Sequence, residues 1–115
     1  MTDFEFGDIV LVPFPFSNQS AIKKRPAVVV SSATYNRDRA DIIIMAITSQ
    51  LNAPSQIGTF LVNDWKTAGL LKPSVVKPIV TTLQKTLVQK KLGRLGRQDL
   101  HSLQNVLQNI FGNRS

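Results

Sequence analysis

The chain has 115 residues, 43% of them hydrophobic, and carries fourteen Lys and Arg against seven Asp and Glu, for a formal charge of +7. That length suits one domain with a genuine core, and the apolar content excludes a mainly disordered chain. The absence of cysteine excludes disulfides, thiolate nucleophiles and sulfur-ligated metals, and no apolar run approaches the roughly 18 residues of a membrane helix. The start, MTDFEFGD, is acidic and has no basic segment, so a secretory leader is not expected and a cytoplasmic location is.

GDIVLVPFPF is β-prone from Ile9 to Val12, and Pro13 and Pro15, which offer no ladder N–H, mark its end or an edge position. SNQSAIKK follows as a polar loop, longer than the roughly two to five residues usual for a hairpin, and long loops tend to carry function. PAVVVSS predicts a second strand, and SATYNRDRAD a polar connection with turn residues Asn36 and Asp38. DIIIMAITS is apolar almost throughout, the pattern of a strand buried on both faces. Beyond the loop QLNAPSQ, IGTFLVND predicts a fourth strand and KTAGLLKPS a Gly- and Pro-marked loop. VVKPIVTTLQ predicts a fifth strand, with an irregularity or an edge at Pro78. KTLVQKKLGRLG reads as a short turn of helix, then a brief strand around Leu92 to Leu95.

In the tail, Leu100, Leu103, Val106, Leu107, Ile110 and Phe111 fall on one helical stripe. Asp99 sits in the acid-preferring first turn, and Gly112 stands where a C-terminal cap is expected. Residues 1–115 therefore read as one mainly β domain with a C-terminal helix, a small β-barrel closed by that helix.

Charge is unevenly placed. Asp3, Glu5 and Asp8 make the N-terminal segment acidic, whereas Lys66, Lys72, Lys77, Lys85, Lys90, Lys91, Arg94 and Arg97 follow one another with no acid between them. Such a tract gathers a polyanionic substrate or an acidic protein partner, unless it serves solubility alone. The run KKRPAVVVSS sets Lys23, Lys24 and Arg25 directly against a core strand.

Several chemistries are excluded. The one histidine, His101, sits on the terminal helix as a surface residue, and a paired-imidazole nuclease needs a second. The acids are scattered and no Gly-rich phosphate loop opens a helix, so neither a metal nor a nucleotide cofactor is indicated. Arginine, lysine and hydroxyls remain. They stabilise charge on a phosphate but do not readily activate water. RNA suits that toolkit, because its 2′-hydroxyl is an internal nucleophile beside the phosphate.

Four stretches, GDIVLVPFPF, KRPAVVVSS with the following Tyr35 and Asn36, the strand ending ITSQ, and GLLKPSVVKP with the later LGRL, stand in the order seen in the MazF/PemK toxins of bacterial type II toxin–antitoxin systems. From Gly7 to about Leu95 the chain resembles that family. The resemblance implies an SH3-like β-barrel with helical additions, paired as a homodimer whose interface contributes to a shared RNA groove. It implies metal-independent cleavage of single-stranded RNA, usually mRNA, without a cofactor. It also implies a cognate acidic antitoxin, operator DNA reached only through that antitoxin, and no membrane partner.

The family's arginine before the proline of its RP motif matches Arg25, and its threonine at the end of the later central strand matches Thr48, with Ser49 following. The chemistry agrees: arginine places a planar, permanently charged fork on a phosphorane. A threonine is a poor general base, so Thr48 reads as a positioning donor or acceptor. The resemblance puts Lys23 and Lys24 in a flap over the RNA, where they would contact phosphate, and Asn18, Gln19 and Ser20 would reach base edges. SNQSAIKK lacks the Gly-Ser-Glu stretch of several members, which leaves base preference open. Lys72 and Lys77, with Lys85, Lys90 and Lys91, are candidate groove charges and equally candidate landing points for an acidic antitoxin tail. Trp65 and Tyr35 are candidates for stacking on bases, or for core and interface packing. Two rivals keep the barrel: a CcdB-like toxin that poisons DNA gyrase without cutting, and a non-catalytic nucleic-acid-binding barrel.

Overall fold

The β-branched run Asp41–Thr48 forms the middle of the molecule in a computed structural model that describes residues 3–14, 23–51 and 56–112. Around it lie β1 (Asp8–Phe14), β2 (Lys23–Val29), α1 (Ala33–Asp38), β3 (Asp41–Thr48), β4 (Phe60–Leu61), β5 (Val75–Gln84), a single 3-10 turn (Lys85–Leu87), β6 (Lys90–Arg94) and α2 (Arg97–Ile110). The strands hydrogen-bond in the order β4-β5-β3-β2-β1-β6, each antiparallel to its neighbour. The result is a mostly β half-barrel with a C-terminal helix, the expected fold.

Period-two alternation explains why β3 is apolar throughout. Ile42, Ile44 and Ala46 pack with Val10, Val12, Ala27 and Val29 on one face of the sheet. Met45 and Ile47 pack on the other face with Ile9, Val28 and Val76, under Leu103 and Val106 of α2. The helical stripe therefore covers one face, with Phe111 left exposed beyond its end. At β5 the β3 register shifts between Met45 and Ile47, opposite Lys77, Pro78 and Ile79. The irregularity expected at Pro78 is this bulge, since proline gives the ladder no N–H.

Other expectations need correcting. The stretch read as a polar turn contains α1, capped by Ser32, whose Oγ accepts from Tyr35 N at 3.1 Å. Asn36 is buried within it: its Nδ2 donates to Phe4 O at 3.0 Å and Ser31 O at 3.1 Å, and Ser31 Oγ donates to its Oδ1. The same Ser31 Oγ accepts from Ile43 N at 3.0 Å, so one short helix ties the N-terminus to β3. The fourth strand shrinks to Phe60–Leu61: Gly58 turns the chain before it at φ 97°, Val62 N still bonds Ser74 O in the β5 register, and the next two amides, of Asn63 and Asp64, go to Asp99 instead. β2 begins earlier than expected, at Lys23, and β6 runs from Lys90 to Arg94. Gly112 is not a left-handed cap; Phe111 ends α2 in extended geometry, its N–H bonding Leu107 O.

The segment after β4 folds back across the sheet and meets β6 backbone to backbone. A Cβ on Gly69 would strike the carbonyl of Leu92, and one on Gly93 the carbonyl of Ala68; Gly69 also holds φ at 91°. Asp99 fixes the same segment from α2, its carboxylate accepting Asn63 N and Asp64 N at 3.0 Å each. This buried acid thus does more than favour the helix dipole: it satisfies two loop amides.

The basic tract is not one continuous field. Lys91 pairs with Asp8 at 3.2 Å and donates to Asp3 O at 2.8 Å, and Arg94 pairs with Glu5 at 3.6 Å. The N-terminal acids are laid along β6 and neutralise part of it. Among the described residues, no helix is long and apolar enough to cross a membrane.

Candidate nucleic-acid site at the sheet rim

β1 and β2 pair Val12 with Arg25, Pro13 with Lys24 and Phe14 with Lys23, carrying the cationic run to one end of the sheet. β2 and β3 pair Ala27 with Ala46 and Val28 with Met45. That ladder stops at Pro26, which has no N–H to continue it; extending the same register past the proline sets Arg25 opposite Thr48. Thr48 is itself the last residue of β3 and pairs with Val75 of β5.

A pocket of about 220 Å³ opens at this rim, lined by Arg25, Pro26, Ile47, Thr48, Ser49, Leu70, Leu71, Lys72 and Ser74. The fold thus brings Arg25, Thr48, Ser49 and Lys72 together from three separate parts of the chain. Lys23 and Lys24 are exposed on the same strand but do not line the pocket, and Lys77 lies further along β5, half-buried. Asn18, Gln19 and Ser20 lie outside the described residues.

Arg25 is exposed and, among the described residues, makes no ion pair. Thr48 Oγ1 accepts from Gln50 N at 3.2 Å, which fixes the oxygen and leaves the hydroxyl hydrogen to donate outward. The opposite wall is rigid: Leu70 N bonds Trp65 O at 3.0 Å, and the buried Ser74 donates to Lys72 O at 2.8 Å while its own carbonyl accepts from Val62 N at 2.9 Å. Among the described residues no carboxylate lines the pocket, so the charged and polar side chains that an anion meets there are cations and hydroxyls. Among the described residues, no three His, Asp or Glu side chains gather as a metal-ligand set.

The remaining lysine candidates have different surroundings. Lys85 is half-buried and donates to Asn36 O at 2.6 Å, and Lys91 serves Asp8. Lys90 is exposed and pairs with Leu11, itself the partner of Pro26, so it stands in the pocket's row of the sheet. Trp65 is half-buried against the core, with the Lys66 ammonium 5.4 Å from its ring. Tyr35 sits on α1, between the end of β2 and the start of β3, and so at the opposite end of the strands from Arg25 and Thr48. There the Arg39 guanidinium lies 5.4 Å from its ring and 3.4 Å from Asp41. The hydrogen bond from Arg39 holds the Asp41 carboxyl below its ordinary value, and the bond to Asp41 raises the Tyr35 hydroxyl. Neither aromatic lines the rim pocket. Leu71, which sequence reasoning passed over, does; a second leucine in a Gly- and Pro-marked loop carries no sequence signal of exposure.

Fold and pocket together define a small β half-barrel with a cationic, hydroxyl-bearing site at its rim. The family model described as PemK-like, MazF-like toxin of type II toxin–antitoxin systems matches residues 5–111, and the chain belongs to that family. Among solved structures it is similar to MazF (Form-I) from Deinococcus radiodurans, at 19% identity over 96% of this chain and 97% of that one, with a TM-score of 0.73. The MazE–MazF (Form-II) structure from the same organism matches at 17% identity over 99% and 100%, with a TM-score of 0.74. An endoribonuclease in complex with its cognate antitoxin, from a mycobacterial species, matches at 17% identity over 93% and 91%, with a TM-score of 0.69. These likenesses show the fold. Among curated proteins, none matches the sequence.

Proposed function

We propose that this MazF-type toxin is a metal-independent endoribonuclease that cuts single-stranded RNA, mRNA being the expected target. The observation that carries the proposal is a pocket that gathers Arg25, Thr48, Ser49 and Lys72 and, among the described residues, no carboxylate. The 2′-hydroxyl attacks the adjacent phosphorus, the bond to the 5′-oxygen of the next nucleotide breaks, and the products are a 2′,3′-cyclic phosphate and a 5′-hydroxyl. Arg25 binds the non-bridging oxygens and offsets the charge of the dianionic phosphorane. Thr48, its oxygen fixed by Gln50 N, orients the ribose or donates to a phosphate oxygen, and Ser49 assists beside it. Lys72 and the strand lysines Lys23 and Lys24 attract the backbone.

A relative of the same fold is described as an endoribonuclease bound to its cognate antitoxin, which supports this activity and a cognate antitoxin as partner; the chain's charge of +7 favours an acidic one. A second copy of the chain and operator DNA, reached through the antitoxin, complete the expected partners. The test is cleavage of a mixed-sequence single-stranded RNA in excess EDTA. Wild type is expected to cut, and Thr48→Val to cut about 10²-fold more slowly, the scale of losing one transition-state donor. An unchanged rate in Thr48→Val removes the threonine from the mechanism, and a folded wild type that cuts nothing removes the reading.

A further inference from the structure

Leu71 is 93% exposed, yet it lines the pocket that holds Arg25, Thr48 and Lys72. Its backbone is not a loose tip. On one side Leu70 is buried and its amide bonds Trp65 O; on the other, Ser74 is buried and bonds Lys72 O. A singly exposed leucine needs no explanation. One held rigidly on the wall of a cationic pocket presents apolar surface right beside the proposed phosphate position.

In single-stranded RNA the group next to each phosphate is an unpaired base, polar at its edges and apolar on its faces. We infer that Leu71 supports the face of a nucleobase flanking the scissile phosphate and so takes part in choosing the cut site; this rests on the ribonuclease reading above. Charge complementarity favours a polyanion, since Arg25 and Lys72 line the pocket and no acid among the described residues does. Size favours one planar group over a length of peptide, because about 220 Å³ is smaller than the roughly 300–1,000 Å³ of a drug-sized ligand site.

The experiment is a two-way substitution. Wild type and Leu71→Ala are compared on an oligoribonucleotide with one cut site, intact or with an abasic nucleotide on either side of the scissile phosphate. On the intact oligonucleotide Leu71→Ala is expected to lower kcat/KM about five- to tenfold, mainly through KM, with Leu71→Met recovering most of it. On the substrate lacking the contacted base, the two proteins should cut alike. The inference is overturned if Leu71→Ala loses nothing, or loses the same factor on all three substrates. It is equally overturned if Leu71→Ala dissociates by light scattering where wild type stays associated, which assigns the leucine to a subunit contact. A wild type that cuts none of the substrates fails the ribonuclease reading itself, whereas a wild type that cuts and is matched by Leu71→Ala fails only this inference.

Discussion

Arg25→Ala should leave the protein folded and lower RNA cleavage by about 10³-fold or more, the range seen when an arginine that stabilises phosphoryl-transfer charge is removed. The side chain is exposed and makes no ion pair among the described residues, so truncation opens no cavity and orphans no buried partner. Stability should therefore change by no more than about 0.5 kcal/mol. The loss falls on the transition state, where a second negative charge develops on the phosphorane and the guanidinium supplies two parallel donors. Arg25→Lys should recover only a small part, because an ammonium is a point charge without the fork. Thermal melts read alongside single-turnover rates separate the two effects. Cleavage by Arg25→Ala within tenfold of wild type would remove the arginine from the mechanism.

A large effect on stability is expected for Gly93→Ala. The added Cβ would enter the carbonyl of Ala68, and both partners are backbone, so neither can rotate away. Overpacking of this kind costs about 3 kcal/mol, the upper end of its usual range, which in a domain of this size lowers Tm by about 12 °C. Gly112→Ala is the matched control: nothing lies within 4 Å of its Cβ, and its Tm should stay at the wild-type value. The damage should also reach the site, because the displaced segment leads straight into Leu70, Leu71 and Lys72. A Gly93→Ala protein that melts with wild type would mean that the segment after β4 does not rest on β6.

Much of this arrangement was legible in the sequence because its causes are local. The doubly apolar run at β3, the helical stripe of α2 and the proline at the β5 bulge each follow from side-chain periodicity or a missing N–H. Arg25 and Thr48 were legible only through the family's motif order; no local rule shows that strands far apart in sequence place them opposite one another. What escaped was decided by tertiary contact. A helix as short as α1, without an apolar stripe, becomes visible through the burial of Asn36 against Phe4 and Ser31. Lys85 and Lys91 looked like groove charges until the fold set them against Asn36 O and Asp8. Tertiary contact also reduced the fourth strand to Phe60–Leu61, since the amides of Asn63 and Asp64 turn to Asp99 on α2.

The central claim is that the RNA supplies its own nucleophile and the protein supplies charge and position. The most direct measurement uses an oligoribonucleotide with one mapped cut site and a twin carrying a single 2′-deoxyribose on the 5′ side of that bond, both incubated with wild type in excess EDTA. The account predicts that the all-ribose strand yields a 2′,3′-cyclic phosphate and a 5′-hydroxyl, and that the twin is not cut at that bond. Cutting of the twin there, or a 5′-phosphate on the product, would show that water is the nucleophile and contradict the account.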